Sequence, residues 1–277
     1  VAGVLIVAHL TLEEARRKRL LQAALLLGTA FLLLFGTGLH FIHRDMLAHD
    51  LPQAAQQLPL NTIILAALYV SHFLVVMVAI LLAGDCLAAE VGSGAIDTLC
   101  ARPVRRSAVL LGKWLGAAVL LAGFTAWLCG GVLLVARLAV GFTPPGIGRG
   151  LPLVLLSGLI MLTLGLAAGA RLSAVAGGVA CLGLYGLSFL GGWTEQIGAV
   201  IGNSTARYIG IGASLLVPNE SLWQLAAHHM QPSWMQQVNV TPFTPVSVPS
   251  PAMVYWSAGY LLAALLLAAR LFSRRDL

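Results

Sequence analysis

No aspartate, glutamate or lysine stands in the middle of any long apolar run of this chain. Ion-driven transporters hold and release a coupling ion at ionisable groups inside the membrane, so this absence argues against secondary transport. His72 is the one side chain in such a run that could serve, and a lone intramembrane histidine usually links helices by a hydrogen bond. A nucleotide-binding loop is missing as well. Its G-x4-G-K-[ST] pattern lets backbone N–H groups cradle phosphates, but the only Gly-Lys pair, Gly112-Lys113, is followed by Trp114 and has Ser107 where the first glycine belongs. There is no H-E-x-x-H, which removes the common membrane metalloprotease. A Ser157–His72 dyad lacks the G-x-S-G setting of a hydrolase, because Leu155 occupies the glycine position. The four cysteines, Cys86, Cys100, Cys129 and Cys181, form no C-x-x-C and give neither a disulfide framework nor a zinc site. Catalysis by this chain is therefore not expected.

What is present is hydrophobic. The 277 residues are 59% apolar and only 9% charged, with a mean hydropathy of +0.91, which places the chain with integral membrane proteins. Six runs, 20–42, 61–83, 114–140, 151–170, 175–193 and 253–272, reach the roughly 20 residues that cross a bilayer core. The expected fold is all-α: one transmembrane domain over residues 1–277 with six spans. The net charge of +6 is a matter of placement. Arg16, Arg17, Lys18, Arg19, Arg102, Arg105, Arg106, Lys113, Arg171, Arg270, Arg274 and Arg275 all fall on one side of the six runs. Only Arg44, Arg137, Arg149 and Arg207 fall on the other. This is the positive-inside signature, not a nucleic-acid surface, and it predicts both termini in the cytoplasm.

Before the first run, residues 1–19 read as an interfacial connector helix. Val4, Ala8 and Leu12 share a face, and Glu13 and Glu14 precede Arg17 and Lys18 in the favourable helix-pair orientation. The longest polar interruption in the first two thirds of the chain is 84–113. Val91, Ala95 and Leu99 line a short helix, Pro103 stops it, and Ser107 is expected to cap the next.

Glu90, Gly94, Leu99, Arg102, Pro103, Val104, Arg106 and Lys113 together resemble the cytoplasmic coupling loop of ABC-2 type permeases, the membrane subunits of a class of ATP-binding cassette transporters. Ala95 and Arg105 depart from that pattern, where threonine and a small hydroxyl residue are common. Glu14-Ala15-Arg16-Arg17 and the closing Phe272-Ser273-Arg274-Arg275-Asp276-Leu277 are similar to the same family. The resemblance implies a permease subunit, usually of an exporter, that dimerises with an identical or homologous subunit. ATP-binding cassette ATPase subunits would bind the ATP and Mg, since the chain has no cofactor of its own. Glu90, Gly94, Asp97, Leu99, Arg102, Pro103 and Arg106 would form the ATPase-coupling site. The location it implies is a bacterial inner membrane, with lipid as the surrounding partner.

Two segments face the other side. Residues 43–60 read as a polar loop. In 194–252, apolar stretches too short to span are broken by Asn203-Ser204-Thr205-Ala206-Arg207 and by Pro218, which suggests short re-entrant or interfacial helices before the last span. His43, His49, His228 and His229 gather on this side and could ligate a metal. An ATP-independent protein handling metal or lipid at the outer face is the alternative reading.

Overall fold

A computed structural model describes residues 2–17, 19–49, 52–88, 106–235 and 243–274. Its described residues are helical, without strands, and include six helices long and apolar enough to cross a membrane. In order, α1 is Ala2–Arg17, α2 Arg19–Ala48, α3 Gln53–Ala83, α4 Arg106–Val140, α5 Ile147–Gly169 and α6 Ala174–Val200. Two short helices, α7 (Ser204–Leu216) and α8 (Asn219–His229), precede the last span, α9 (Ala252–Ser273). The chain is a multi-pass membrane protein of the expected class, with a connector helix in front and short helices before the last span.

The helices run past the apolar stretches that announce them. The described part of 43–60 is largely helical instead of a polar loop: α2 continues to Ala48, and α3 begins at Gln53 with Pro59 inside it. Pro52 sits just before α3, where a fixed φ costs nothing. Likewise α4 is already helical at Arg106, so Ser107 lies within its first turn and does not precede it. Beyond α3 the chain makes one wider π-type turn, Gly84–Ala88.

Six passes bring α1 and the end of α9 to the same end of the bundle. Phe272 of α9 is buried there with Leu82, Cys86, Leu110 and Leu166. At the opposite end a second cluster gathers Leu39, Ile64, Val132, Val154, Trp223 and Met230. α5 packs against α3, α4, α6, α8 and α9, and it and α3 are the most buried spans; α2 is the least buried. Exposed leucines on α2, such as Leu26 and Leu34, are what a lipid-facing helix presents.

α1 lies along the first turns of α4. Its buried stripe is Val7, Ala8, Thr11 and Ala15, not Val4, Ala8 and Leu12, because glycines of α4 fix the register. A Cβ on Gly112 would stand 2.6 Å from Val7 Cβ and 2.8 Å from the Val4 carbonyl oxygen. One on Gly116 would stand 2.8 Å from the Ala8 oxygen. Because backbone atoms are in the way, the neighbours cannot swing aside. Gly112→Val or Gly116→Val is therefore expected to lift α1 from α4 and cost about 1–3 kcal/mol each. Gly123→Val, on a face with open space around it, should change stability by less than about 0.5 kcal/mol. Thermal unfolding of the purified full chain in detergent separates the two cases.

Candidate functional site

The segment carrying most of the sequence motif lies outside the described residues. Glu90, Gly94, Asp97, Leu99, Arg102 and Pro103 fall there; Arg106 opens α4. The two ends that bound it are described and meet at the end of the bundle that holds α1 and the end of α9. The π-type turn touches α4, α5 and α6. Lys113, about two turns into α4, is only 2% exposed, and the next residue, Trp114, donates from Nε1 to Thr163 Oγ1 of α5 at 2.9 Å.

A second polar centre is built at mid-depth by α7 and α8, which form a re-entrant hairpin. Gly202, with φ of +73°, turns the chain back after α6, a conformation that a side chain disfavours. Asn203 then caps α7, its Oδ1 accepting from the Ala206 N–H at 3.0 Å. Close approach keeps α7 flat against α6. A Cβ on Gly210 would stand 2.6 Å from both the Glu195 nitrogen and the Gly191 oxygen, and one on Gly198 2.8 Å from the Arg207 nitrogen. α7 thus descends antiparallel to α6 as far as Ser188, near the middle of that span.

Pro218 ends the descent. The residue before a proline is driven to extended backbone, and Val217 adopts φ −140°, ψ 98°. α8 then climbs out again, buried against α5, α6 and α3. A helix break at this depth leaves backbone groups that no water can satisfy. The Ser188 hydroxyl serves two of them, donating to the Val217 carbonyl oxygen at 2.8 Å and accepting from the Glu220 N–H at 3.1 Å.

The turn delivers a carboxyl group to the middle of the bundle. Glu220 is 4% exposed; its Oε1 accepts from Tyr69 Oη at 3.1 Å, and that oxygen accepts from Trp193 Nε1 at 3.3 Å. Among the described residues, Oε2 of Glu220 and Oε1 of Gln224 have no hydrogen-bond partner. Beside them is a cavity of about 30 Å³, lined by Tyr69, Trp193, Glu220, Trp223, Gln224 and Phe243 and large enough for a water molecule. His72 stacks on Trp223, with ring centroids 5.6 Å apart, and its Nε2 lies 2.8 Å from Ser157 Oγ on α5. This is the interhelical link expected of a lone histidine. The pair has a dyad's spacing, yet both residues are fully buried, and among the described residues His72 Nδ1 has no orienting partner.

Sequence reasoning placed no acid at mid-membrane because Glu220 belongs to no span. The available signal was Pro218-Asn219-Glu220 following a run too short to cross. The outer histidines do not converge: among the described residues no group of three His, Cys, Asp or Glu could hold a metal. His49 Nδ1 is 2.9 Å from the Asp45 carbonyl oxygen, whereas His228 and His229 have ring centroids 6.0 Å apart. Burial and the neighbouring His229 hold the His228 imidazole below its usual value.

Ser188→Ala is expected to strand the Val217 carbonyl and the Glu220 N–H and to cost about 1–3 kcal/mol. Thr194→Ala, which removes only an exposed hydroxyl bonded within its own helix, should cost less than about 0.5 kcal/mol. Thermal unfolding in detergent compares them.

No curated protein matches the sequence. Residues 5–277 match the profile of the family described as ABC-2 family transporter protein, which spans almost the whole chain. The six spans, the connector helix and the short helices before the last span belong to a transporter's membrane subunit, and the chain is a member of the ABC-2 transporter family.

Proposed function

We propose that the chain works as the membrane half of an ATP-driven exporter, in a bacterial inner membrane with both termini in the cytoplasm. The observation that carries this reading is the family match over residues 5–277 in a sequence with no nucleotide-binding loop of its own. Energy then has to arrive from separate ATP-binding cassette ATPase subunits, which would bind ATP and Mg. Their dock would be the segment around Glu90, Gly94, Asp97, Leu99, Arg102, Pro103 and Arg106. Glu90 and Asp97 would contact the ATPase, Gly94 would allow close approach, and Arg102 and Arg106 would brace the loop or lipid head groups.

Six spans without an internal repeat make half a pathway, so a second permease subunit, identical or homologous, would complete it. Surfaces for it exist. α2 is almost unburied, and Gly178, Gly183 and Gly186 of α6 have no neighbour within 4 Å beside the exposed Val179, Leu182 and Leu190. Small residues of this kind let helices from another subunit approach closely.

Co-expression with ATPase subunits encoded in the same genome tests the reading. A stable detergent-extracted complex with vanadate-sensitive ATP hydrolysis is expected. Glu90→Lys or Asp97→Lys should reduce coupled hydrolysis by roughly tenfold or more, as when one partner of an interfacial charge contact is reversed. Failure of every ATPase to bind, or full coupling in both charge-reversal variants, would reject it. Cysteines replacing Gly183 or Gly186, in a background without native cysteines, should give cross-linked dimers if α6 meets the second subunit.

A further inference from the structure

A large cavity lies at the end of the bundle opposite the termini, where α7 starts, the return segment passes and α9 begins. It measures about 340 Å³, within the roughly 300–1,000 Å³ of small-molecule sites. Two opposite charges line it. Glu195 is 4% exposed; Ser247 Oγ donates to its Oε1 at 2.7 Å, and its Oε2 has no hydrogen bond among the described residues. Arg207, exposed in the first turns of α7, lines the same cavity and makes no ion pair with Glu195 among the described residues. Each charge therefore keeps bonding capacity for something else. Ser214 and Ser221 are also on the wall, each 1% exposed and with a hydroxyl that has no hydrogen-bond partner among the described residues. Buried hydroxyls left in that state cost stability unless a ligand or water meets them.

Most of the rest of the wall is apolar, including Ile211, Leu215, Met253 and Trp256. Leu216 and Tyr208 of α7 and Tyr255 of α9 are exposed, and Trp256 Nε1 donates to the Leu215 carbonyl oxygen at 3.2 Å. Tyrosines and a tryptophan at the start of a span mark the head-group level of a bilayer. A ligand suited to this site carries an anion, a hydrogen-bonding cation and an apolar tail together.

We propose that this cavity is a binding site for a zwitterionic phospholipid with a primary amine, phosphatidylethanolamine. Its phosphate meets the Arg207 guanidinium, its ammonium group donates to the free Glu195 oxygen, and its acyl chains follow α7 and α9. An anionic lipid such as phosphatidylglycerol leaves the Glu195 carboxylate facing its phosphate without a cation. Phosphatidylcholine brings the charge but has no N–H to donate. This site is independent of the ATPase reading, because it needs only a chain that sits in a bilayer.

Native mass spectrometry of the purified full chain in detergent tests it, with phosphatidylethanolamine, phosphatidylcholine, phosphatidylglycerol or soluble phosphoethanolamine added at equal concentration. The wild type should retain phosphatidylethanolamine about tenfold better than phosphatidylglycerol, the worth of one charge-assisted contact. Arg207→Gln, on an exposed side chain that does not threaten folding, should cut that retention by a similar factor. Glu195→Gln should bring the two lipids toward parity, and Arg149→Gln, an exposed charge at the same end, should change nothing. Equal retention of phosphatidylglycerol by the wild type, or unchanged retention in Arg207→Gln, would overturn the site. Soluble phosphoethanolamine retained as well as the lipid would overturn its assignment to a bilayer component.

Discussion

One hydroxyl group at the centre of the bundle makes the rest of this architecture possible. A chain that turns round inside a membrane must break its helix where no water is available, and every exposed N–H or C=O there costs several kcal/mol. Ser188 Oγ meets a carbonyl on one side of the break and an N–H on the other. With those groups satisfied, α7 and α8 can enter and leave from the same end. The turn can then hold Glu220, which neither an interfacial helix nor a full span would carry to this depth.

That solution constrains α6 along its whole outer half. Gly191 and Gly198 of α6 and Gly210 of α7 bring the two helices close enough for Ser188 to reach the break. Further out, Gln196 fixes the return segment: its Oε1 accepts from the N–H groups of Val246 and Ser247 at 2.8 and 3.0 Å, and its Nε2 donates to the Ser247 oxygen at 2.8 Å. Extended backbone near a membrane has the same unsatisfied-group problem as a helix break, and here a side-chain amide replaces the missing sheet partner. α6 therefore organises everything between itself and α9 with three neighbouring polar positions, Ser188, Glu195 and Gln196.

Much of this was legible in the sequence, because the bilayer imposes a length on apolar runs and a side on basic residues. The six spans, the connector helix and the existence of short helices before the last span all follow from those two constraints. What was not legible depended on partners distant in sequence. The register of α1 is set by Gly112 and Gly116, a hundred residues away, so a stripe read from α1 alone was displaced. The reach of α2 and α3 through 43–60 comes from local helix-forming residues such as Ala54, Ala55 and Gln56, which a span-by-hydropathy reading discards as loop. Glu220 was visible as an acid near a proline, but its depth depends on how far α7 descends along α6, and hydropathy carries no information about that.

The two ends of the molecule are joined by α5 more than by any other element. Near the termini it receives Trp114 through Thr163 and packs on the residues that bound the 89–105 segment. At mid-depth its Ser157 is within hydrogen-bond distance of His72, and its backbone lies beside Asn219 at the tip of the hairpin. At the opposite end Gly150 meets Met230, just past the end of α8. Interiors this tightly packed change arrangement in steps instead of deforming smoothly. A displacement of α4 at the termini therefore has a direct packed route to the re-entrant hairpin through α5. α2 has no comparable route, because it lies outside the bundle with little but α4 to lean on. The division is one of packing: α3, α4 and α5 form the buried scaffold, and α2 lies at its edge.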